Sequence, residues 1–192
     1  MDRETLIQAP RELRTPRLWL AAPRPDFVAP FVESLNRSLP GLEYIAWAQH
    51  PQTMEWGARF MEGGRQAVEA GEFLVFHAFL HGHDLHDGHV GRVDLHSWDF
   101  EAPRCEVGYV GDVRHAGQGL MREAVLACVQ LAFGLGAARV QALSEADNAR
   151  ALHFAEQALG FVREGVLRNF ERDAQGRLGA QVMFAAYNPA AR

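Results

Sequence analysis

The sequence predicts a single α+β domain over residues 1–192, in which a mixed, mostly antiparallel, twisted sheet is flanked by helices. The first observation is the order of the predicted elements: strand, two helices, a three-strand meander, helix, strand, helix and a closing hairpin. The second is the length of 192 residues, which suffices for one hydrophobic core. The third is that the sequence contains no internal repeat, low-complexity tract or linker.

The N-terminal elements follow from turn and capping signals. Residues 1–14 are interpreted as a polar lead-in, and Thr15-Pro16 favours an extended chain after it. Asp26 is typical of a helix cap, and either Pro51 or Thr53 opens a second helix. The predicted elements are a strand over 17–20, a helix from 26 to about 39, an irregular aromatic segment over 42–47 and a helix towards 68 that Gly63-Gly64 interrupts.

The later elements follow from apolar runs and from glycines. The run over 72–80 predicts a strand buried on both sides, since it has almost no polar residue. After Gly119, apolar residues recur every three or four positions, which predicts a long helix that ends at Gly134 or Gly136. The other predictions are a loop over 81–88, strands over 89–98, from 106 and over 139–144, a helix from Asn148 to Gly160, and a hairpin of 161–168 and 181–187 joined around 173–176.

Charge and cysteine usage exclude several classes of protein. A net charge of −5 argues against a general nucleic-acid binder, which normally has a basic face. Cys105 and Cys128 make no disulfide framework and fit reduced thiols on a strand and on a buried helix face. Residues 1–10 lack the apolar core of a signal peptide, and the apolar stretch 125–138 is too short for a membrane span. These features predict a cytoplasmic protein without a nucleic-acid or membrane partner.

A glycine-spaced turn, Arg114-His115-Ala116-Gly117-Gln118-Gly119, joins a predicted strand to the helix that begins at Leu120. Glycines permit positive φ and close approach of a ligand to the backbone. The N–H groups at the start of the helix, together with its dipole, favour an anion. The turn therefore predicts a binding site for a pyrophosphate or a similar group.

The histidines at 81, 83, 86 and 89 could be interpreted as metal ligands. They lie in a Gly- and Asp-rich segment without a cysteine partner, which favours a flexible exposed loop. We predict no metal site there.

The glycine turn, in its setting, resembles the pyrophosphate-binding loop of the GNAT superfamily, the acetyl-CoA-dependent N-acetyltransferases. Glu106-Val-Gly-Tyr109 precedes it and Glu123-Ala124 follows. A second block, with Asn148-Ala-Arg-Ala151 and then Leu159-Gly-Phe up to Arg168, resembles the next helix and strand of that superfamily. Thr15-Pro-Arg-Leu18, the Trp47 segment and Glu164-Gly-Val-Leu-Arg168 are similar to the Rim-type branch of ribosomal-protein-alanine acetyltransferases.

The resemblance implies the GNAT fold, acetyl-CoA as donor and an amine as acceptor. It also implies a set of cofactor-binding residues, with oxyanion donors in the backbone near the first three: Tyr109, Val110, Gly111, Arg114, His115, Ala116, Gly117, Gln118, Gly119, Leu120, Met121, Asn148, Ala151 and Phe154. Two residues depart from the branch, since Arg122 replaces a threonine and Ala151 replaces a serine near the CoA sulfur. Ala151 cannot donate a proton, so that any role of the serine as general acid is absent here.

Three carboxylates are candidates for the base that deprotonates the acceptor amine. Glu171 is the first, because the Rim-like branch carries a functional acid beyond the late strand; the alternative is a solvated turn residue. Glu106, on the cofactor strand, is the second, with an ion pair to Arg92 or Arg104 as its alternative. Asp94 is the third and is expected at the acceptor groove.

Trp47, with Tyr44 and Trp56, is interpreted either as a wall of the acceptor pocket or as part of the core. The predicted acceptor is a protein or peptide α-amino group, such as a ribosomal-protein N-terminus. An open groove would favour peptides, whereas a closed acidic pocket would favour a small amine such as a polyamine, an amino acid or a drug. A CoA-binding module with weak catalysis is the third alternative, and a homodimer is one option for the assembly.

Overall fold

The computed structural model describes residues 1–172 and 176–191. The α-helices within these ranges are α1 (Arg3–Ile7), α2 (Val28–Ser38), α3 (Met54–Glu69), α4 (Leu85–Gly88), α5 (Leu120–Gly134) and α6 (Ala149–His153). A π-helical turn, Phe154–Ala158, extends α6, and a short 3-10 helix, Val113–His115, precedes the glycine turn. No helix in the described ranges has the length and apolar character needed to cross a membrane.

The described strands form one eight-stranded sheet in the order β1-β2-β3-β4-β5-β6-β8-β7. They are β1 (Glu12–Arg14), β2 (Leu18–Ala21), β3 (Leu74–Leu80), β4 (His89–Asp99), β5 (Arg104–Gly111), β6 (Arg139–Glu145), β7 (Val162–Arg172) and β8 (Leu178–Tyr187). Every neighbouring pair is antiparallel except β5 and β6, which are parallel. The predicted mixed and mostly antiparallel sheet is therefore confirmed.

The parallel pair β5–β6 is the feature that creates a groove. It has three residue pairs, which end at Glu106 and Gln141. Beyond this point β5 continues to Gly111 and β6 to Glu145, and among the described residues these two stretches do not pair with each other. The two strands thus diverge and open a wedge, whose closed end lies at Glu106.

The core has two layers, one on each face of the sheet. Helix α5 packs on one face, where Val93, Leu95 and Val125 are fully buried. Helices α2 and α3 pack on the other face over β2 and β3, with Phe31 and Phe79 between them. Successive strand residues point to opposite faces, so Arg92, Asp94 and His96 lie on the α2–α3 face. On that face the helices leave the wedge uncovered.

Several predicted elements need correction. Residues 1–14 are more than a polar lead-in, because Asp2 and Thr5 form a capping box for α1, Leu6 is fully buried, and β1 pairs with β2. Helix α3 continues through Gly63-Gly64 without interruption. The predicted 81–88 loop contains α4, and both strands of the final hairpin are longer than predicted. Most of the predicted 173–176 turn lies outside the described residues.

The predicted flexible histidine loop is wrong for His89. This residue begins β4 and is fully buried against the rings of Phe31 and Phe79. His81 is held by the Thr15 carbonyl at 3.1 Å and His86 by Glu33 at 2.9 Å. The start of β4 at His89 agrees with the predicted strand over 89–98, but the burial of His89 was not predicted, because a histidine is not an apolar residue.

Candidate active site

The wedge between β5 and β6 widens into a cavity of about 1780 Å³. Pockets for one small ligand usually measure roughly 300–1,000 Å³, so this cavity has room for two reactants. At one side it is bordered by the glycine turn and the start of α5, and at the other by β7 and β8. We call this cavity the groove.

The glycine turn presents a row of backbone donors. Gly117 and Gly119 have φ of 74° and 72°, a conformation that L side chains rarely adopt. Among the described residues, none of the backbone N–H groups from Gly117 to Arg122 donates a hydrogen bond of good geometry. These groups lie at the positive end of the α5 dipole, which favours a negatively charged ligand there.

A buried carboxylate, Asp112, holds the turn in place. It accepts hydrogen bonds from the Arg114 backbone N–H at 2.8 Å and from Nη1 of Arg37, in α2, at 2.6 Å. Next to it, Oγ of Ser38 accepts from the Val113 N–H at 3.0 Å. The end of α2 is therefore fastened to the loop that leads into the glycine turn. Asp112 could not be identified from a local pattern, since its partner Arg37 lies 75 positions earlier in the chain.

Arg114 was predicted to contact the donor, but its side chain does not line the groove. Its guanidinium forms an ion pair with Asp112 at 3.1 Å and donates to the His86 carbonyl at 2.6 Å. Neither Arg114 nor Gln118 is among the described residues that line the groove. Both side chains instead stabilise the turn on the side away from the groove. The other predicted residues of this region do line the groove: His115, Ala116, Gly117, Gly119, Leu120 and Met121.

The Thr15-Pro-Arg motif holds the start of α5 from the opposite side. Glu123 accepts from the Thr15 hydroxyl at 2.6 Å and from the Arg17 backbone N–H at 2.9 Å. Arg17 also donates to the Gln118 carbonyl at 3.0 Å. Burial alone would raise the pKa of Glu123, but the hydrogen bonds from Thr15 and Arg17 outweigh it and lower the pKa. The motif that carried the sequence resemblance thus has a structural role at the turn.

The remaining predicted cofactor residues line the wedge itself. Tyr109 of β5 packs on Phe154 with ring centroids 5.1 Å apart, and burial raises the pKa of Tyr109 to about 12. Asn148 caps α6 by accepting from the Ala151 N–H at 3.0 Å. These four residues, with Val110 and Gly111, all contribute to the walls of the groove.

Polar side chains form a row at the closed end of the wedge, which we call the polar row: Arg92, Asp94, His96 and Glu106. Arg92 and Asp94 are buried and form an ion pair. Nε2 of His96 lies 3.6 Å from Oδ1 of Asp94 and 3.9 Å from Oε1 of Glu106. Glu106 also accepts from Gln141 at 3.4 Å rather than from Arg92 or Arg104. His96 was not among the predicted site residues, although alternation along β4 places it on the same face as Asp94.

Glu171 lies on the other side of the groove, in β7. Its carboxylate accepts a hydrogen bond of 3.4 Å from the amide of Gln181, and both residues line the groove. The residue lies after an irregularity in β7, where Asn169 has φ of 53°. The structure thus brings Asp94 and Glu106 together and places Glu171 on a separate wall.

Aromatic residues of the α2–α3 connection border the groove. Trp47 lines the groove and is 38% exposed, while its ring stacks on Phe60 at 5.0 Å and on Trp56 at 6.2 Å. Trp56 packs on the core around Phe31. The Tyr44 hydroxyl donates to the Asp147 carbonyl at 3.2 Å, so the connection reaches the far side of the groove.

A scan against family models matches residues 17–162 to the acetyltransferase (GNAT) domain. The chain belongs to the GNAT acetyltransferase family. This match covers more than half of the chain and includes the wedge, the glycine turn and the polar row. Membership in the family makes the chain an N-acetyltransferase that uses acetyl-CoA, as the sequence resemblance implied. The curated proteins contain no match to the chain.

Solved structures of GNAT acetyltransferases share the fold. The microcin C7 self-immunity acetyltransferase MccE, in complex with acetyl-CoA and AMP, aligns with a TM-score of 0.80 and 17% identity over 90% of this chain and 93% of that one. RimL, the ribosomal L7/L12 α-N-protein acetyltransferase in complex with CoA, aligns with a TM-score of 0.79 and 18% identity over 92% of this chain and 97% of that one. The ribosomal-protein-S5-alanine acetyltransferase of Vibrio fischeri aligns with a TM-score of 0.76 and 17% identity over 94% of this chain and 98% of that one. The predicted α+β GNAT fold is thereby confirmed.

Substituting Gly119 with alanine should weaken CoA binding to this acetyltransferase. At φ of 72° a Cβ strains the backbone by about 1–2 kcal/mol and tilts the free N–H groups. We expect the CoA Kd, measured by calorimetry, to rise about tenfold, since 1.4 kcal/mol corresponds to a factor of ten. Gly160→Ala is the matched control, because Gly160 has the same φ of 72° but is not among the groove-lining residues. An equal rise in both variants would contradict this prediction.

Proposed function

We propose that this enzyme transfers an acetyl group from acetyl-CoA to a primary amine in the cytoplasm, with a protein or peptide α-amino group as acceptor. A ribosomal-protein N-terminus is one candidate, since RimL is named for that activity. The observation that carries the proposal is the size of the groove, about 1780 Å³. Its acceptor side is bordered by Trp47 and by the edge strand β7, which leaves space for an extended chain.

The residues of the groove fit the donor substrate. We assign the pyrophosphate to the free N–H groups from Gly117 to Arg122, which are matched to an anion. The pantetheine arm is assigned to the unpaired edges of β5 and β6, whose backbone groups need hydrogen-bond partners. The N–H groups near Tyr109 to Gly111 would serve as oxyanion donors. Asn148, Ala151 and Phe154 would contact the arm from α6.

The acceptor needs a group that removes a proton from its ammonium before attack. An α-amino group has a pKa of about 8, so that a neighbouring carboxylate can accept this proton. We assign this task to Glu171 first and to Glu106 second, because both line the groove. Asp94 is paired with Arg92 and is therefore assigned to shaping the acceptor site.

Comparing Glu171→Gln with Glu106→Gln tests this order. We expect Glu171→Gln to lower kcat about a hundredfold in a thiol-release assay with acetyl-CoA and an N-terminal peptide, the lower end of what a general base contributes. Glu106→Gln should have the smaller effect. The control is Glu101→Gln, since Glu101 is exposed and lies outside the groove-lining residues. The reverse order would transfer the task to Glu106.

A small amine is the second candidate acceptor. The observation that favours it is the Tyr44–Asp147 hydrogen bond, which crosses the groove and reduces the space for an acceptor. An acceptor panel of N-terminal peptides, amino acids and polyamines decides between the two. Turnover confined to small amines would overturn the peptide proposal. CoA binding without turnover on any acceptor would instead favour a module that has lost catalysis.

A further inference from the structure

His96 is a titratable side chain in the groove that the roles assigned above leave without a task. Its side chain is 24% exposed, and it lies beside Phe73 with ring centroids 5.7 Å apart. Nδ1 is 2.8 Å from Oγ of Ser97, which fixes the orientation of the ring. Nε2 is directed towards the carboxylates of Asp94 and Glu106 and is the nitrogen available for exchange.

Strand register places this imidazole at the closed end of the wedge. His96 pairs with Glu106 across β4 and β5, and Glu106 pairs with Gln141 across β5 and β6. From Glu106 to Gly111, β5 spans about 17 Å at the usual rise per residue. This span is comparable to an extended pantetheine arm that starts at the glycine turn. The thioester end of the donor then lies close to the polar row.

Two carboxylates face the imidazole of His96. Asp94 has Arg92 as a partner, whereas Glu106 accepts a hydrogen bond from the amide of Gln141 and lies 3.9 Å from Nε2 of His96. An imidazole can accept a proton and release it again, and Glu106 lies close enough to stabilise the ring while it carries the proton. The environment therefore suits a group that gains and then releases a proton.

The chain also lacks a hydroxyl at the position where the resemblance implies a serine near the sulfur. Ala151 lines the groove there and has no proton to give. The sulfur leaves as a thiolate, whose conjugate thiol has a pKa of about 8.5, so a proton donor beside it assists the step. His96, in the polar row, lines the groove and can both accept and donate a proton.

We propose that His96 shuttles a proton from the attacking amine to the departing thiolate. This inference rests on the proposed acetyl transfer. Once the acceptor nitrogen is neutral, its electron pair forms the C–N bond, and the proton that the nitrogen then loses moves to Nε2 of His96. The electrons of the breaking C–S bond go to sulfur, and His96 returns the proton to it. Amide and thiol are the products, and His96 ends neutral.

Replacing His96 tests this role. In His96→Gln the side-chain amide takes the position of Nε2. In His96→Asn it takes the position of Nδ1 and can keep the hydrogen bond with Ser97. We expect both to lower kcat about 100- to 1,000-fold, with the CoA Kd and the Tm close to wild type. The pH profile of kcat should differ from that of the wild type in both variants. His83→Gln is the matched control, since His83 is exposed and not groove-lining.

Two further measurements separate a proton shuttle from a structural role. Adding Ala151→Ser to His96→Gln should restore at least tenfold of the lost kcat, because the serine returns a donor near the sulfur. In NMR spectra of the protein without acceptor, titration with CoA should shift the His96 ring resonance and leave that of His83 unchanged. The rescue by Ala151→Ser is not expected if His96 only supports the fold of the polar row.

Several results would overturn the inference. A kcat within threefold of wild type in both variants would remove His96 from the reaction. Losses of CoA affinity or of Tm that parallel the loss of kcat in both variants would assign it a structural role. If the wild type binds CoA but releases no thiol with any acceptor, the proposed function fails first. If the wild type turns over and the His96 variants do as well, the shuttle alone is wrong.

Discussion

The free energy of unfolding should fall by roughly 4 kcal/mol between pH 7.5 and pH 5, because two buried histidines oppose protonation. His77 and His89 are both fully buried, with His77 Nδ1 3.3 Å from His89 Nε2. Burial lowers the pKa of His77 well below its usual value and that of His89 to about 3. Neighbouring positive groups, Arg92 at His77 and Arg114 at His89, act in the same direction, while Asp112 opposes them.

The sign follows from proton counts. Below pH 6.5 the unfolded chain protonates both rings, whereas the folded chain keeps them neutral until the pH approaches their lowered pKa values. The unfolded state then binds more protons. The contribution of the two histidines to the free energy of unfolding is therefore fully present above pH 6.5 and is lost as the pH falls towards 3. Each ring contributes about 1.4 kcal/mol per pH unit in this window.

Urea unfolding at a series of pH values measures this slope. His77→Leu should remove about half of the histidine contribution, whatever its effect on stability at pH 7.5. His83→Leu, at an exposed position, should leave the slope unchanged. A slope that is the same in wild type and in His77→Leu would show that other groups cause the acid loss.

Asp112→Ala is the substitution outside the polar row with the largest expected effect. It removes a fully buried carboxylate that forms ion pairs with Arg37 at 2.6 Å and Arg114 at 3.1 Å. We expect a loss of about 3 kcal/mol in unfolding free energy, the lower end for a broken buried pair, because both arginines are about one third exposed. The CoA Kd should rise at least tenfold, since the turn loses its support.

The matched control is Asp87→Ala. Asp87 also pairs with Arg114, at 3.3 Å, but its side chain is 73% exposed. An exposed pair contributes about 0–1 kcal/mol, so this variant should unfold almost like wild type in urea. Near-identical stability of the two aspartate variants would contradict a central role for Asp112. CoA affinity unchanged in Asp112→Ala would separate the buried pair from the glycine turn.

Much of the fold could be predicted because local signals agreed with the tertiary structure. The apolar run of β3, the steps of three and four in α5 and the glycine turn each specify one structure. Helix α1 and strand β1 were missed, since their short segments gain stability from the capping box and from Leu6 in the core rather than from periodicity. Strand β7 was predicted too short, because its residues are mostly exposed and lack a buried stripe.

Most of the predicted site residues line the groove, and the exceptions have one physical cause. Residues next to each other in the glycine turn were identified together, yet the pattern did not reveal which side chains face the groove. Arg114 was predicted to contact the donor, whereas Asp112 and the His86 carbonyl hold it elsewhere. His96 joins Glu106 across two strands, and such a cross-strand neighbour follows from register, which one sequence without its pairings does not contain.

The wedge between β5 and β6 also links the stability of the protein to its donor. Unpaired edges usually lie at the rim of a sheet, but here two of them face each other inside it. With the pantetheine arm in the proposed position, donor and protein complete one hydrogen-bonded sheet. A ligand present at 100 times its Kd stabilises the folded state by about 2.7 kcal/mol. The fraction of folded enzyme then depends on the supply of the donor as well as on the amino-acid sequence.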